Sequence, residues 1–238
     1  MLAVRREVLV QQIKHIMIFF AALLLPIALL YGYVRIVVMR PAFFERVLYG
    51  EEYDLSKKIG ISPSELERVL DKLFGYVLGS EDSPIVVIEQ DGYRVNFYNE
   101  RELKHLEDVK NIFENIQRYI YGIVLLEVFV IAFLIKGISV RKLFRIMCCV
   151  EIFHVGFLTV ALLIARKSMV LFVSLLHKAL FDNNRWILND ATDRLVCLFP
   201  KVLYKEALLY FVYIWLLVAT VINIFIIVKI RRNRNGTV

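Results

Sequence analysis

IMIFFAALLLPIALLYGYV, Ile16 to Val34, is a run of 19 residues without a single charge. As an α-helix rising about 1.5 Å per residue it is long enough to cross roughly 30 Å of hydrocarbon. ALLYFVYIWLLVATVINIFIIV, Ala207 to Val228, is a second uncharged run, 22 residues long. Two such runs place the chain in a membrane. The composition agrees: 59% of the 238 residues are hydrophobic and the mean hydropathy is +0.61, against roughly 45–50% apolar residues in an ordinary soluble domain. Tyr119 to Ile135 and Leu143 to Ala165 also have span length, although the first carries Glu127 and the second Arg145, Glu151 and His154. Four spans are predicted, over residues 16–38, 119–136, 143–165 and 205–228. The expected fold is mainly α, a single polytopic membrane domain over 1–238 with four transmembrane helices, a small α+β extracellular cap and interfacial helices.

Charge orients the spans. The net charge is +7, but the basic residues stand at span ends. Lys136, Arg141, Lys142 and Arg145 lie between the second and third spans, and Lys229, Arg231, Arg232 and Arg234 follow the fourth. This is a topology signal and not a nucleic-acid patch. It puts the N-terminus, the 136–142 loop and the C-terminal tail in the cytoplasm, and the other two loops outside. From Arg40 to Gln117 there are 10 Lys and Arg against 16 Asp and Glu, as expected of an external segment. Arg5, Arg6 and Lys14 before the first span resemble a signal-peptide start, yet Val37-Val38-Met39-Arg40-Pro41 offers no small-x-small cleavage site, so a retained anchor is expected. Cys148 and Cys149 fall within the third span and Cys197 is alone in the second outer loop, which leaves no outer pair to form a disulfide.

The outer segments have their own signals. Ser62-Pro63-Ser64-Glu65 is a capping box with proline at the first helical position, followed by Leu66, Val69, Leu70, Leu73, Phe74 and Val77 at helical spacing up to Gly79. Ile85 to Ile88 and Tyr93 to Tyr98 flank Gln90-Asp91-Gly92, a hairpin pattern. Residues 40–99 therefore read as the α+β cap. Asn99 and Glu102 form a second capping arrangement, opening a helix over 100–116. On that helix Leu103, Leu106, Val109, Phe113 and Ile116 make an apolar face, and Arg101, His105 and Asp108 an adjacent polar stripe. Were the helix to run straight into the second span, His105 would stand ~20 Å above Tyr119, so a bend or strong tilt is expected that lays it along the membrane surface. Residues 168–203 are predicted to be a re-entrant or interfacial segment. Met169 to Phe181 is apolar but too short to cross, carries His177 near its end, and leads into a polar loop holding Trp186.

His105 and His177 thus fall on one side of the membrane, near the level where headgroups meet water. Imidazole titrates near neutrality, which suits acid and base chemistry on a membrane ester or amide. No His-Glu-x-x-His or paired-cysteine pattern supplies a metal site, and no Gly-x-Ser-x-Gly elbow or phosphate-cradling loop is present. His154 and Glu127, each within a span, read as a polar pair joining helices or as part of a proton path. A membrane hydrolase using the same histidines on water, and a scaffold or transport subunit in which Glu127, Glu151 and His154 line a path, are further readings of these residues.

FYNERELKHLEDVK, Phe97 to Lys110, and HKALFDNNRW, His177 to Trp186, resemble the lipoprotein intramolecular transacylase family of four-span bacterial membrane proteins. The patterns Arg-Glu-x-x-His-x-x-Asp-Val and His-x-x-x-Phe-x-x-Asn-x-Trp occur in order, and the likeness extends over nearly the whole chain. The resemblance implies a substrate, a diacylglyceryl-modified lipoprotein held among membrane lipids. It implies a reaction, movement of the sn-2 acyl chain to the α-amino group of the lipidated N-terminal cysteine, giving a lyso-form lipoprotein without a cofactor. It also implies catalysis by His105 and His177, with Arg101, Glu102, Asp108, Asn184 and Trp186 in support; the tetrahedral oxyanion of such a transfer calls for a nearby donor such as Arg101 or Asn184. The family often continues with Asp-Pro after Trp-x-Leu, where this chain has Asn189-Asp190, so Asp190 is the nearest substitute carboxylate.

Overall fold

The computed structural model describes residues 2–48, 55–90, 92–134 and 138–235. Asp91 of the hairpin turn and Lys136 of the inner loop lie outside the described residues. Four helical stretches are long and apolar enough to cross a membrane: Arg5–Val38, Glu100–Leu134, Val140–Lys167 and Lys201–Arg232. The chain is mainly helical, and its one small sheet among the described residues has two strands.

The molecule divides into two compact units. The first comprises Met1–Tyr31, Arg118–Leu162 and Tyr210–Val238. It contains most of α1 (Leu2–Tyr33), the end of α5 (Glu100–Phe129) with a π-helical turn at Val130–Leu134, most of α6 (Val140–Lys167) and most of α9 (Lys201–Asn235). Ile18, Ala21, Val130 and Leu134 are buried together, with Leu126 and Ile146 packed against them. Large apolar side chains on the remaining faces, such as Leu125, Phe133, Ile152, Phe157, Leu217 and Phe225, are exposed. Such surfaces require lipid, because water would make them strongly unfavourable.

Polar groups tie the helices of this unit together. The His154 Nε2–H lies 3.2 Å from the Leu23 carbonyl oxygen, and the ring meets Trp215 edge-on at 4.9 Å. The Asn223 amide donates to Glu151 at 2.6 Å. The anticipated pairing of His154 with Glu127 is therefore replaced: a backbone carbonyl of α1 is the partner of His154, while Glu127 Oε1 has none among the described residues. Bonds of this kind join helices that have no hydrophobic drive to associate in lipid.

The second unit comprises Gly32–Gln117 and Leu163–Leu209. Its first helices are α2 (Pro41–Leu48), α3 (Leu55–Ile59) and α4 (Pro63–Leu78). α4 begins at the capping box read from the sequence: Glu65 N–H donates to Ser62 Oγ at 3.2 Å, and Ser62 N–H returns to Glu65 Oε2 at 3.1 Å. Val69, Leu70, Leu73, Phe74 and Val77 are buried along one face, and Gly79 ends the helix at φ 83°, a conformation that favours glycine. β1 (Val87–Gln90) and β2 (Tyr93–Asn96) pair antiparallel with Ile88 opposite Val95, and Gly92 turns the hairpin at φ 79°. Side chains cover both outer edges: Glu65 accepts Glu89 N–H, Arg68 donates to Val87 O, and Arg194 donates to Asn96 O and Phe97 O. A two-stranded ribbon is marginal alone and needs such support.

Of the bend or tilt expected of α5, the bend is not found. No break separates residues 100–116 from the second span; Glu100–Phe129 is one helix. Kinks arise at proline, glycine or π-bulges, and between Asn99 and Gly122 the sequence holds neither proline nor glycine. With its π-helical extension to Leu134 the rod is about 50 Å long, beyond the roughly 30 Å of hydrocarbon. Glu100, Arg101, Glu102, Lys104, Glu107, Asp108 and Lys110 mark its first half as the part outside the hydrocarbon, and Tyr119–Leu134 as the crossing part. The remaining helices of this unit are α7 (Met169–Leu180) and α8 (Arg194–Leu198).

Candidate active site

His105 sits in the second turn of α5, whose start is fixed by a reciprocal cap. Asn99 N–H donates to Glu102 Oε2 at 2.7 Å, and Glu102 N–H donates to Asn99 Oδ1 at 3.0 Å. Glu102 is only 1% exposed, and its other oxygen accepts the Leu195 N–H at 2.6 Å. One carboxylate thereby ties the start of α5 to the start of α8. Burial pushes its carboxyl above the ordinary range, against the opposing effect of the Leu195 and Asn99 N–H groups.

Asn99 and Asp193 complete this joint. The Asn99 amide donates to Asp193 Oδ1 at 2.8 Å, and Asp193 Oδ2 accepts Asn189 N–H at 2.7 Å. The Asn189 N–H, aided by the Asn99 amide, holds the Asp193 carboxyl below its usual value. Asp193 is the carboxylate the sequence reading missed. Asp190, named from the sequence, is exposed, and its carbonyl accepts the Cys197 S–H at 3.8 Å. The available signal was local: Asp193 stands directly before a helix start, where a short acidic side chain is favoured.

The other supporting residues anchor the 183–187 loop. Arg101 donates to the carbonyls of Asn184 and Ile187. Asp108 accepts the Asn183 amide at 3.1 Å and pairs with Arg185 Nε at 3.2 Å. Asn184 contributes its carbonyl, and its side chain is exposed. These contacts deliver Trp186, whose ring lies 5.2 Å from that of His177 at 33°.

The two histidines meet. Their ring centroids are 5.9 Å apart at 35°, with Phe181 packed 5.0 Å from His105 and 5.6 Å from His177. Both line a cavity of about 610 Å³ whose remaining wall is largely apolar, including Val77, Val109, Phe113, Val173 and Leu203. That volume is within the range of about 300–1,000 Å³ typical of ligand sites.

The rings differ chemically. His177 Nδ1 lies 2.8 Å from the Val173 carbonyl oxygen. A carbonyl only accepts, so Nδ1 carries the proton and the neutral ring presents its lone pair at Nε2. His105 is 5% exposed, and its Nδ1 has no partner among the described residues. Burial pulls its pKa down to about 4; His177, Arg185 and Arg101 act in the same direction and Asp108 opposes. His105 is consequently uncharged at neutral pH. Among the described residues no three His, Cys, Asp or Glu side chains gather as metal ligands.

No curated protein sequence matches the chain. Three solved structures of the lipoprotein intramolecular transacylase Lit from Bacillus cereus share its fold. The first superposes with a TM-score of 0.70 at 18% identity, covering 94% of this chain and 98% of that one. The other two are variants in which a histidine is replaced, by arginine or by alanine; both have TM-scores of 0.67 at 17% identity and cover 97% of this chain, and 98% and 99% of theirs. The sequence family of the lipoprotein intramolecular transacylase Lit matches residues 19–204. A match over most of the chain, on a membrane fold with two histidines gathered at a cavity, shows that this protein belongs to the lipoprotein intramolecular transacylases, a family of enzymes.

Proposed function

We propose that the His105–His177 cavity is where the acyl chain moves from the glyceryl sn-2 oxygen to the α-amino group of the lipoprotein's N-terminal cysteine. The observation that carries this reading is the pairing of two imidazoles, 5.9 Å apart, on the wall of an apolar cavity. An α-amino group has a pKa of about 7.7–8. In its free form it adds to the ester carbonyl and forms the C–N bond, while the carbonyl π pair moves to oxygen. The nitrogen's excess proton passes to His177 Nε2, the only lone pair left on that ring by the Nδ1 bond to Val173. The intermediate then collapses, the C–O bond to the glyceryl group breaks, and the sn-2 oxygen takes the proton. Protons and electrons balance without an outside reactant.

His105 stays neutral through this cycle. Two cationic rings at 5.9 Å would repel, so holding His105 uncharged reserves the charge for His177. Its neutral N–H serves the departing glyceryl oxygen. Because amine and ester belong to one molecule, alignment in the cavity can supply on the order of 7–11 kcal/mol of the barrier reduction.

The apolar wall explains how an unbroken α5 is compatible with a lipid substrate. Lining residues on α5 run from His105 to Phe113, about 12 Å along the axis toward the crossing half of the same helix. The acyl chain, and not the imidazole, covers that distance. The charge distribution of the loops supports cytoplasmic termini and a site opening outward.

The test is mass spectrometry of a lipoprotein N-terminus from cells carrying His105→Ala or His177→Ala. Loss of N-acylation with the diacyl form accumulating is expected. Undiminished conversion by either variant, or release of free fatty acid by the native enzyme, overturns the reading.

A further inference from the structure

Acyl transfer creates an oxyanion, and the sequence suggested Arg101 or Asn184 as its donor. Neither lines the cavity, and Arg101 is held by two backbone carbonyls. The cavity wall has other donors. Ser174, Trp186 and Tyr204 line it, and the Ser174 Oγ, Trp186 Nε1 and Tyr204 Oη groups hydrogen-bond to nothing among the described residues. Ser174 is distinctive because of its helix. A hydroxyl within an apolar helix ordinarily donates to the carbonyl four residues back, as Thr159 does to Val155 and Thr220 to Leu216, each at 2.7 Å. Ser174 makes no such bond to Val170. It lies three residues before His177 on α7, on the same face, where Cβ atoms are about 5–6 Å apart.

We infer that the Ser174 hydroxyl is the oxyanion donor of the transfer reaction, hydrogen-bonding the former ester carbonyl oxygen while His177 takes the amine proton. The reacting carbonyl carbon is bonded to both the attacking nitrogen and the oxyanion. A nitrogen at His177 Nε2 therefore places that oxygen within reach of a group one turn away on the same wall. Ser174 forms no covalent bond and keeps its proton. Its free hydroxyl has no helix bond to break when charge develops, which is the arrangement that makes a donor stronger for the transition state than for the ground state. The inference rests on the cavity being the transacylase site.

The experiment uses the full-length enzyme in lipid nanodiscs and a synthetic diacylglyceryl lipopeptide, comparing Ser174→Ala, Ser174→Thr, Trp186→Phe and His177→Ala. For Ser174→Ala, kcat is expected to fall about 100–1,000-fold with KM within threefold, the pattern of an interaction made in the transition state. Ser174→Thr, which keeps the hydroxyl, should recover to within about tenfold of native. Native-like kcat in Ser174→Ala beside a dead His177→Ala overturns the role of Ser174 alone. A rise in KM without loss of kcat, equal loss in Ser174→Thr, or loss confined to Trp186→Phe does the same. Full activity in His177→Ala overturns the site itself.

Discussion

Each unit of this protein buries a histidine to nearly the same degree, His154 at 6% exposure in the first and His105 at 5% in the second. Their surroundings differ. His154 donates to the Leu23 carbonyl, meets Trp215 edge-on and lines no part of the cavity. His105 faces a second imidazole across 5.9 Å on a cavity wall. Burial alone does not mark a reactive group. What separates the pair is a place on a cavity wall and a second imidazole beside it, which is why perturbed titratable groups identify sites only together with a cleft.

The largest expected effect tests this contrast directly. His177→Ala should lower lipopeptide turnover at least about 100–10,000-fold, the range of a lost general base, while His154→Gln should stay within about threefold of native turnover. Equal loss in both, measured in nanodiscs, would erase the distinction. Glu102→Ala comes next. It strips the Asn99 and Leu195 N–H groups of their acceptor, at about 1–3 kcal/mol for each buried donor left unpaired. A clear drop in the thermal midpoint together with reduced turnover is expected, and a native-like midpoint would refute the joint between α5 and α8.

The third effect is a pH dependence of stability. His105 has a folded pKa of about 4 against an ordinary 6.5, so the unfolded chain takes up the proton first as pH falls. Its contribution is full above about 6.5 and is lost as pH drops toward about 4. His105→Gln should therefore flatten the acid-side decline of the melting temperature between those values; an unchanged slope would show that the ring is not held neutral. The smallest effect belongs to the membrane helices. Asn223→Leu breaks the bond to Glu151 and should cost about 0.6 kcal/mol, typical of such bonds in lipid, with turnover intact.

The spans, the Ser62 and Asn99 caps and the Gly92 hairpin were legible because each rests on a local rule, either charge-free length or a side chain reaching three residues along. The family resemblance came from the short patterns around His105 and His177. Other features depended on distant residues. Asp193 reaches Asn99 across 94 positions, and Arg101 reaches Asn184 across 83; no periodicity announces such a pair. The predicted bend or tilt of α5 came from assuming that the histidine must approach the lipid. Nothing between Asn99 and Gly122 could break the helix, and the sequence already said so. Ser174 looked like an ordinary residue of an apolar helix until its missing partner and its place on the wall were visible together.

The bond from Leu195 to Glu102 spans 93 positions and has a consequence for biosynthesis. While the ribosome is still making the stretch before Leu195, the α5 carboxylate lacks that partner and the Trp186 loop lacks its downstream tether. A nascent chain stalled before residue 193 thus carries both imidazoles but lacks Leu195, Leu203 and Tyr204 of the cavity wall around them.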